Sequence, residues 1–322
     1  MPISEFELIK QYFDDSTAQK QCADLVLGIG DDGAIISPRP DHDLIVAVDT
    51  LVAGVHFLSE ANPYDIGFRS LAVNLSDLAA MGAEPAWFTL ALTLPGADEE
   101  WLKEFSRGLF ELARSYQLPL IGGDTTRGPL TISIQVLGYV PSAQALCRDG
   151  AKVGDLIYVT GSLGDAAGGL RLLQNKESSL QDDYLQTRFL RPQARLKFGQ
   201  CLRGLAHAAI DISDGLLADI GHITKRSGVG ARVELARLPL SVQLKAVFGS
   251  ERAIEMALSG GDDYELCFCV APTQADKVAE LAKQLGLAIT CIGCVEAEPG
   301  IRLYNAQGEP VDSALAAGYQ HF

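Results

Sequence analysis

The feature that most constrains this chain is a glycine-rich turn with two adjacent acids, Gly28-Ile29-Gly30-Asp31-Asp32-Gly33. Glycine permits a positive φ and a close approach of the backbone, whereas adjacent carboxylates repel each other and need a reason to be together. The same combination of glycine and aspartate follows apolar runs at Gly122–Asp124, Asp211–Gly215 and Gly260–Asp263. Acids on flexible turns, repeated in this way, predict one site where oxygen ligands gather hard cations.

Two other interpretations of this turn compete with a cation site. Gly28, Gly30 and Gly33 match the G-x-G-x-x-G fingerprint of dinucleotide-binding folds, which requires a helix to open at the glycines. The next residues, Ala34–Pro38, instead predict a short extended run stopped by proline, and two bare aspartates would repel a pyrophosphate. A dinucleotide site is therefore disfavoured. A plain hairpin turn with solvated acids stays open, because Asp and Gly are common turn residues.

The net charge restricts the partners of the chain. Its 322 residues are enough for two domains with separate cores, and 48% of them are hydrophobic. The 41 acidic residues outnumber the 26 basic ones, and the resulting charge of −15 argues against nucleic acid or an anionic membrane as a partner. A site this acidic can hold a phosphate only through metal ions.

Targeting and cysteine patterns indicate the compartment. Met1–Glu7 contains neither a basic segment nor an apolar one, so we expect no signal peptide. No uninterrupted apolar run reaches membrane-spanning length, and we expect a cytoplasmic protein. The seven cysteines are scattered and odd in number, which disfavours a disulfide framework. Cys291 and Cys294 lie in an apolar run and are predicted to be reduced, buried side chains of a strand.

The first domain is predicted to be a mixed α/β unit, roughly ββαβαββ. Asn62–Asp65 is a strong helix start, and the helix runs to about Met81. On it Asn74 and Asp77 lie three residues apart on a separate polar face, where Asp77 is either solvated or used in the site. A second helix is expected to be capped by Asp98. The predicted strands are 24–29, 44–48, 87–94, 118–121 and 131–140.

The second domain is also predicted to be α/β. Residues 175–183 are polar and predict a loop, and Pro192 is expected to open a helix that ends near Ala206. Ser213 or Asp214 is expected to cap the next helix. The other predicted elements are a helix at 272–285 and strands at 156–160, 208–212, 264–270 and 288–295.

Six aspartates at strand ends, at turns and on one helix face are the candidate cation ligands. They are Asp32, Asp49, Asp77, Asp124, Asp211 and Asp214. If they converge, mutual repulsion raises their pKa values or disrupts the site unless divalent cations neutralise it. Mg²⁺, held by carboxylates and substrate phosphates, fits this inventory and implies polyphosphate chemistry. The sequence has neither a G-x-x-x-x-G-K-[ST] loop nor an H-R-D loop, and its five histidines show no metal-ligand spacing.

Six runs, taken together and in order, closely resemble the thiamine-monophosphate kinase family. They are GIGDDG at 28–33, DTLVAGVHF at 49–57, AVNLSDLAAMG at 72–82, LIGGDTTRG at 120–128, DISDGL at 211–216 and SGGDDYEL at 259–266. The resemblance covers essentially the whole chain and extends to the aminoimidazole ribonucleotide synthetase-like superfamily. It implies an α/β (α+β) chain of two domains. Residues 1–141 would form an N-terminal ferredoxin-like mixed α/β domain that binds ATP and metal and pairs in a homodimer, and residues 142–322 a C-terminal α/β domain.

The resemblance also implies an activity. This activity is ATP-dependent phosphorylation of thiamine monophosphate to thiamine diphosphate with several Mg²⁺ ions. Because a phosphate monoester is already largely ionised at neutral pH, we expect direct in-line transfer without a general base. The six aspartates above match the family's metal-binding acids. Gly123, Asp124, Arg148 and Ser213 match its ATP-contacting positions. Three further residues match its pocket for thiamine monophosphate: His56, Asp262 and Tyr319.

Two positions depart from the family pattern. Relatives often carry hydroxyl residues just before the acid at position 49, where this chain has Ala47-Val48, so a metal contact there would use backbone carbonyls. Relatives often carry Glu where this chain has Asp262, which is shorter by one methylene. Two alternative functions stay open. One is another ATP-using member of the superfamily, such as aminoimidazole ribonucleotide synthetase or selenophosphate synthetase, and the other is a non-catalytic module that binds divalent metal.

Overall fold

A computed structural model describes residues 5–14, 22, 24–175 and 180–311. The chain divides into two compact units. Unit 1 comprises Met1–Leu78 and Ala83–Ala143, and unit 2 comprises Ala79–Gly82 and Gln144–Phe322. Among the described residues, none of the helices is both long enough and apolar enough to span a membrane.

Unit 1 is built on a four-stranded sheet, a small β-hairpin and two long helices. The helix start predicted at Asn62 is confirmed, since its side chain accepts the N–H of Tyr64 at 2.9 Å. The cap predicted at Asp98 is confirmed as well. In chain order the elements are α1 (Glu5–Tyr12), β1 (Leu25–Leu27), β2 (Ile35–Ile36), β3 (His42–Val52), α2 (Pro63–Ala80), β4 (Glu84–Leu94), α3 (Glu99–Ser115), β5 (Leu120–Arg127) and β6 (Thr131–Pro141).

The four-stranded sheet has the order β3-β6-β4-β5. Strands β4 and β5 are parallel, whereas β6 is antiparallel to both β3 and β4. The connectivity βαβαββ therefore differs from the βαββαβ order of a ferredoxin-like domain, although the mixed α/β character is the one expected. Side chains of β6 alternate between fully buried residues, such as Ile132, Ile134 and Val136, and half-buried ones, so the sheet covers a core with one face only.

Helices α2 and α3 approach each other closely through glycine. A side chain at Gly67 would overlap the carbonyl oxygen of Phe105, and one at Gly108 would overlap that of Tyr64. Glycine inside a helix costs backbone entropy, and here the close packing of two helix backbones is what requires it.

Unit 2 contains a seven-stranded sheet with the order β13-β12-β9-β11-β7-β10-β8. All neighbouring strands are antiparallel except β9 and β12. In chain order the elements are β7 (Leu156–Thr160), α4 (Asp165–Asn175), α5 (Leu180–Leu190), α6 (Leu196–Cys201), β8 (Ala206–Asp211), α7 (Leu216–Ser227), β9 (Gly230–Glu234), α8 (Val242–Ser259, interrupted at Gly249), β10 (Leu266–Val270), α9 (Ala275–Gln284), β11 (Ile289–Glu296), β12 (Gly300–Tyr304) and β13 (Pro310–Val311).

Two of the elements predicted for unit 2 have the wrong type or the wrong bounds. Part of the loop predicted at 175–183 belongs to α5, because Leu185 and Phe189 are fully buried and give this polar helix an inner face. The helix expected from Pro192 to Ala206 is limited to α6, and Ala206 already begins β8.

The cysteines are all free. Cys291 and Cys294 lie in strand β11, as predicted, but both are only half-buried and not enclosed in the core. The fully enclosed pair is Cys267 and Cys269 in the central strand β10, where burial raises the pKa of both thiols, that of Cys269 to about 12. These two thiols are therefore packing side chains.

Candidate active site

Unit 1 contains a cavity of about 610 Å³ between three segments of the chain. The segments are helix α1, the glycine-rich turn and the first half of β5. The structure thus brings together two of the four glycine–aspartate segments, including Asp32, Gly123 and Asp124. The charged side chains in its described lining are Lys10, Asp14, Asp31, Asp32 and Asp124.

The glycine-rich turn that lines this cavity is shaped by one of its own acids, Asp31. The N–H of Asp32 donates to the Asp31 carboxylate at 2.9 Å, and Gly30 adopts φ 127°, a conformation that favours glycine. Asp31 is therefore used to shape the turn. Asp32 is exposed at the cavity.

The second segment of the cavity is a strand, where the sequence predicted a turn. The strand expected to stop at Ile121 continues as β5 through Asp124 to Arg127, because this segment pairs in parallel with β4. A side chain at Gly123 would overlap the carbonyl oxygen of Leu90, so glycine is required for the two backbones to pair. Asp124 follows at an exposed position and lines the cavity.

Asp49 lies beside a buried amide, that of Asn74 in α2. The N–H of Asp49 in β3 donates to Oδ1 of Asn74 at 3.0 Å, and Nδ2 of Asn74 donates to the carbonyl oxygen of Ser70 at 2.9 Å. The expected polar face of α2 is wrong, since Asn74 is 0% exposed. Asp77 is the one half-buried residue between Leu71 and Ala80. Asn74 thus ties β3 to α2, a role that sequence spacing alone did not reveal.

In unit 2 the turn after β8 is held by an acid that the sequence analysis missed. Ser213 or Asp214 was expected to cap α7, and this prediction is wrong: the cap residue is Gly215, with φ 114° and no side-chain cap. Instead, the carboxylate of Asp219 accepts the N–H of Ser213 at 3.1 Å and that of Asp214 at 3.2 Å. The overlooked signal was an aspartate in the first turn of an otherwise apolar helix face.

Asp219 lies in a strongly acidic setting. Burial, together with the carboxylates of Asp211 and Asp214, raises the pKa of Asp219 to about 8. One ligand atom each from Asp214, Asp219 and His222 lie within 4.8 Å of one another. Carboxylate oxygens and an imidazole nitrogen are donors that divalent cations accept, so the donor chemistry of this turn fits a metal ion.

The segment that contains Asp262 lies against the same turn. The N–H of Asp262 donates to the carbonyl oxygen of Ser213 at 2.8 Å, and that of Tyr264 donates to Ile212 at 2.9 Å. The hydroxyl of Tyr264 donates to the Asp262 carboxylate at 3.2 Å. Ser213, Asp214 and Asp262 therefore lie on two neighbouring backbone segments of unit 2 that are hydrogen-bonded to each other.

The remaining site residues are placed as follows. Nδ1 of His56 accepts the N–H of Val52 at 3.0 Å, which fixes the ring on the turn after β3. Arg148 is exposed, and its carbonyl oxygen accepts the hydroxyl of Ser227 at 3.4 Å. Tyr319 lies outside the described residues.

Comparison with known proteins identifies the family. Residues 30–140 match the family model "AIR synthase related protein, N-terminal domain", and residues 152–305 match the corresponding C-terminal domain. The thiamine-monophosphate kinase of Escherichia coli (strain K12) is 50% identical over 100% of this chain and 99% of its own length. This chain belongs to the thiamine-monophosphate kinase family.

Solved structures of the thiamine-monophosphate kinase family agree with this membership. The enzyme from Stenotrophomonas maltophilia K279a has a TM-score of 0.88 at 49% identity, covering 97% of this chain and 99% of its own. AaThiL complexed with AMPPCP and TMP has a TM-score of 0.78 at 32% identity, covering 100% of this chain and 99% of its own. The predicted family and the α/β fold class of two AIR-synthase-type domains are thereby confirmed.

Proposed function

We propose that this chain phosphorylates thiamine monophosphate to thiamine diphosphate with ATP. The observation that carries the proposal is the full-length similarity to AaThiL, a family member complexed with AMPPCP and TMP. The acidic cavity of unit 1 and the acidic turn of unit 2 support it, since both lie on the sequence runs that define the resemblance. The 50% identity to the thiamine-monophosphate kinase of Escherichia coli over the full chain favours this activity over the two alternatives, a different ATP-using superfamily member and a non-catalytic metal-binding module.

The acceptor makes an enzymatic base unnecessary. A phosphate monoester has a second pKa of about 6 and is largely ionised at neutral pH. One of its oxygens attacks the γ-phosphorus of ATP, a new P–O bond forms, the bond to the β-phosphate oxygen breaks, and ADP leaves. The protein has to align the two phosphates, and no phospho-enzyme is formed.

The carboxylates of both units fit Mg²⁺ as the accompanying metal. When bound, several Mg²⁺ ions would neutralise phosphate charge in an acidic site. We assign Asp32, Asp49, Asp77, Asp124, Asp211 and Asp214 as the residues that hold them. The support is chemical: these side chains offer the hard oxygen donors that Mg²⁺ prefers, and the buried Asp219 carboxylate has acidic neighbours.

The other assignments follow the family positions. For ATP we assign Gly123, Asp124, Arg148 and Ser213, of which the first two line the cavity of unit 1. Three residues are assigned to thiamine monophosphate: His56, Asp262 and Tyr319. Asp262 stands where relatives often carry Glu, and its carboxylate accepts a hydrogen bond from the Tyr264 hydroxyl at 3.2 Å.

A direct assay tests the function. Purified protein is incubated with ATP, Mg²⁺ and thiamine monophosphate, and thiamine diphosphate is separated and quantified. We expect stoichiometric ADP and thiamine diphosphate, no reaction after chelation, and no product from free thiamine, whose hydroxyl would need a base. Efficient use of free thiamine, or an isolated phospho-enzyme, would contradict the mechanism.

A homodimer formed through unit 1 is part of the proposal. On strand β3, Leu44, Val46 and Val48 are 41%, 52% and 59% exposed, and their β6 partners Tyr139, Leu137 and Gln135 continue this sheet. Three aligned apolar side chains on one sheet face are the kind of surface that a second copy covers. Unit 1 is accordingly proposed as the ATP-binding, metal-binding and dimerisation domain, in a cytoplasmic enzyme.

A further inference from the structure

The segment Gly260–Glu265 has an unusual backbone. Asp262 and Tyr264 adopt φ values of 71° and 50°, in the left-handed region that non-glycine residues avoid. Asp263, which lies between them, is 1% exposed, and Glu265, which follows them, is 0% exposed. Strained residues of this kind persist only where the surroundings hold them in place, and they concentrate at functional sites.

Asp263 is the first anchor of this segment. Its two carboxyl oxygens accept the N–H of Gly164 at 2.6 Å and that of Ala166 at 3.2 Å. These groups lie at the start of helix α4, so the carboxyl group satisfies donors that the helix cannot pair internally. Asp263 thereby fixes the middle of the strained segment to a separate helix.

Glu265 is the second anchor. Arg188 from α5 donates to Oε1 at 2.8 Å, Nε of Arg195 donates to Oε2 at 2.6 Å, and the hydroxyl of Thr160 donates to Oε2 at 2.6 Å. Arg188 also donates to the carbonyl oxygen of Asp263 at 3.4 Å, so one guanidinium joins both anchors. A carboxylate with two cations and a hydroxyl is fully compensated for its burial.

The anchored segment is bonded directly to the turn after β8. Ile212 donates to Glu265 at 2.7 Å, Tyr264 donates to Ile212 at 2.9 Å, and Asp262 donates to Ser213 at 2.8 Å, all through backbone groups. A side chain at Gly261 would overlap the carbonyl oxygen of Ser213. Any shift of the Asp262 segment must therefore move Ser213 and its neighbour Asp214.

We propose that Asp263 and Glu265 are positioning residues for the phosphoryl transfer, an inference that rests on the function proposed above. They touch neither substrate nor metal in this assignment. They hold Asp262 in its strained conformation toward thiamine monophosphate, and through the three backbone hydrogen bonds they set Ser213 and Asp214 for ATP and metal. One buried network thus aligns the residues of unit 2 that are assigned to ATP, the phosphoryl donor, with the residue assigned to thiamine monophosphate, the phosphoryl acceptor.

The experiment compares Asp263→Asn and Glu265→Gln with a matched control, Asp155→Asn. Asp155 is also buried in unit 2 and accepts the N–H of Lys152 at 2.8 Å. Asp155 directly precedes Leu156 of β7, and Leu156 pairs with Val270 at the last residue of β10. The site segments lie at the first residue of β10, where Leu266 pairs with Asp211. The control therefore loses a buried carboxylate without touching either site segment.

The steady-state result distinguishes positioning from general stability. We expect both site variants to lose about 10- to 100-fold in kcat/KM for thiamine monophosphate, with a raised KM for ATP as well, because small misplacements are costly in an aligned transfer. Asp155→Asn, at a similar loss of melting temperature, should keep its kcat/KM. Equal kinetic losses in the control, or unchanged kinetics in both site variants, overturn the inference.

Hydrogen exchange supplies a readout that needs no activity. In Asp263→Asn, the amides of Ile212, Asp262 and Tyr264 should exchange at least about ten-fold faster than in the wild type, and in Asp155→Asn they should not. If Asp263→Asn does not fold, Arg195→Lys keeps the charge but loses the planar fork to Glu265, and the same pattern is expected. A wild type inactive with ATP and thiamine monophosphate overturns the proposed function. Unchanged exchange in the variants overturns the coupling.

Discussion

The backbone N–H of Asp262 donates a hydrogen bond to the carbonyl oxygen of Ser213 at 2.8 Å. The two residues are assigned to different ligands, Asp262 to thiamine monophosphate and Ser213 to ATP. Under these assignments, the direct backbone contact places the two proposed binding positions on hydrogen-bonded segments of unit 2. Substitutions that move either segment should therefore affect both substrates, whereas substitutions of surface side chains should affect one.

The first prediction concerns the acids proposed to bind metal. Asp49→Asn and Asp214→Asn should each lower turnover at least ~100-fold, comparable to the loss of one electrostatic stabiliser. The melting temperature without metal should be unchanged or higher, because a like-charge repulsion is removed. Turnover and thermal unfolding measure the two effects, and Asp276→Asn, an exposed acid on α9, is the control. Near-normal turnover in both variants would rule out their assignment.

The second prediction concerns Arg148. Its planar guanidinium suits two parallel hydrogen bonds to a phosphate, which the lysine ammonium cannot reproduce. Arg148→Lys should raise the KM for ATP and leave the affinity for thiamine monophosphate nearly unchanged. Steady-state kinetics with each substrate varied in turn measure this, with the exposed Arg171→Lys as control. Equal losses for both substrates, or for neither, would contradict the assignment to ATP.

The third prediction concerns pH and stability. Burial raises the pKa of Asp263 from 3.8 to about 8, and Asp165 adds to the shift, although the N–H groups of Gly164 and Ala166 and the Arg188 guanidinium oppose it. The native carboxyl therefore holds a proton over a range in which the unfolded one has lost it. Because the native state binds more protons there, the free energy of unfolding should fall as pH rises, by up to about 1.4 kcal/mol per pH unit for one group.

Urea denaturation between about pH 5 and pH 8 checks this slope. Asp263→Asn should remove the contribution of this carboxyl. The contribution of Asp219, whose pKa burial also raises to about 8, should remain in that variant. A free energy of unfolding that rises over this range in the wild type, or an unaltered slope in Asp263→Asn, would contradict the protonated state of Asp263.

The fourth prediction concerns the dimer. Val46→Asp or Val48→Asp places a charge on the exposed apolar face of β3, where an interface would strip it of water. Sedimentation velocity should show a dimer for the wild type and a monomer for both variants. Val242→Asp, at an equally apolar position that is 75% exposed in unit 2, should leave the dimer intact. A monomeric wild type would remove the dimer from the proposal.

The elements that sequence patterns predicted well are those with local causes. The helix from Asn62 and the helix capped by Asp98 begin where short-range hydrogen bonds satisfy their first N–H groups. Strand β7 occupies the predicted residues 156–160, because its short run of apolar and β-branched residues is bounded by glycines on both sides. The family and the acidic segments could also be predicted from the sequence, since both depend only on the identity and order of the residues.

Predictions failed where a distant partner decides the conformation. Gly122–Asp124 belongs to a strand because β4 pairs with it, and the start of α7 is organised by the carboxylate of Asp219, not by Ser213. Asn74 has the same local spacing as a solvated helix residue, yet the N–H of Asp49 in β3 keeps it buried.

The sequence by itself determined the family, a chain length sufficient for two domains, and the acids available to bind metal. These follow from which residues are present and in what order. Only the tertiary structure decided which acid shapes the turn at Asp31, which glycine must face Leu90, and how Asp263 and Glu265 hold the strained segment at Asp262. The reason is physical. A buried carboxylate is stable only where hydrogen bonds compensate its lost hydration, and here the donors come from residues far away in the sequence.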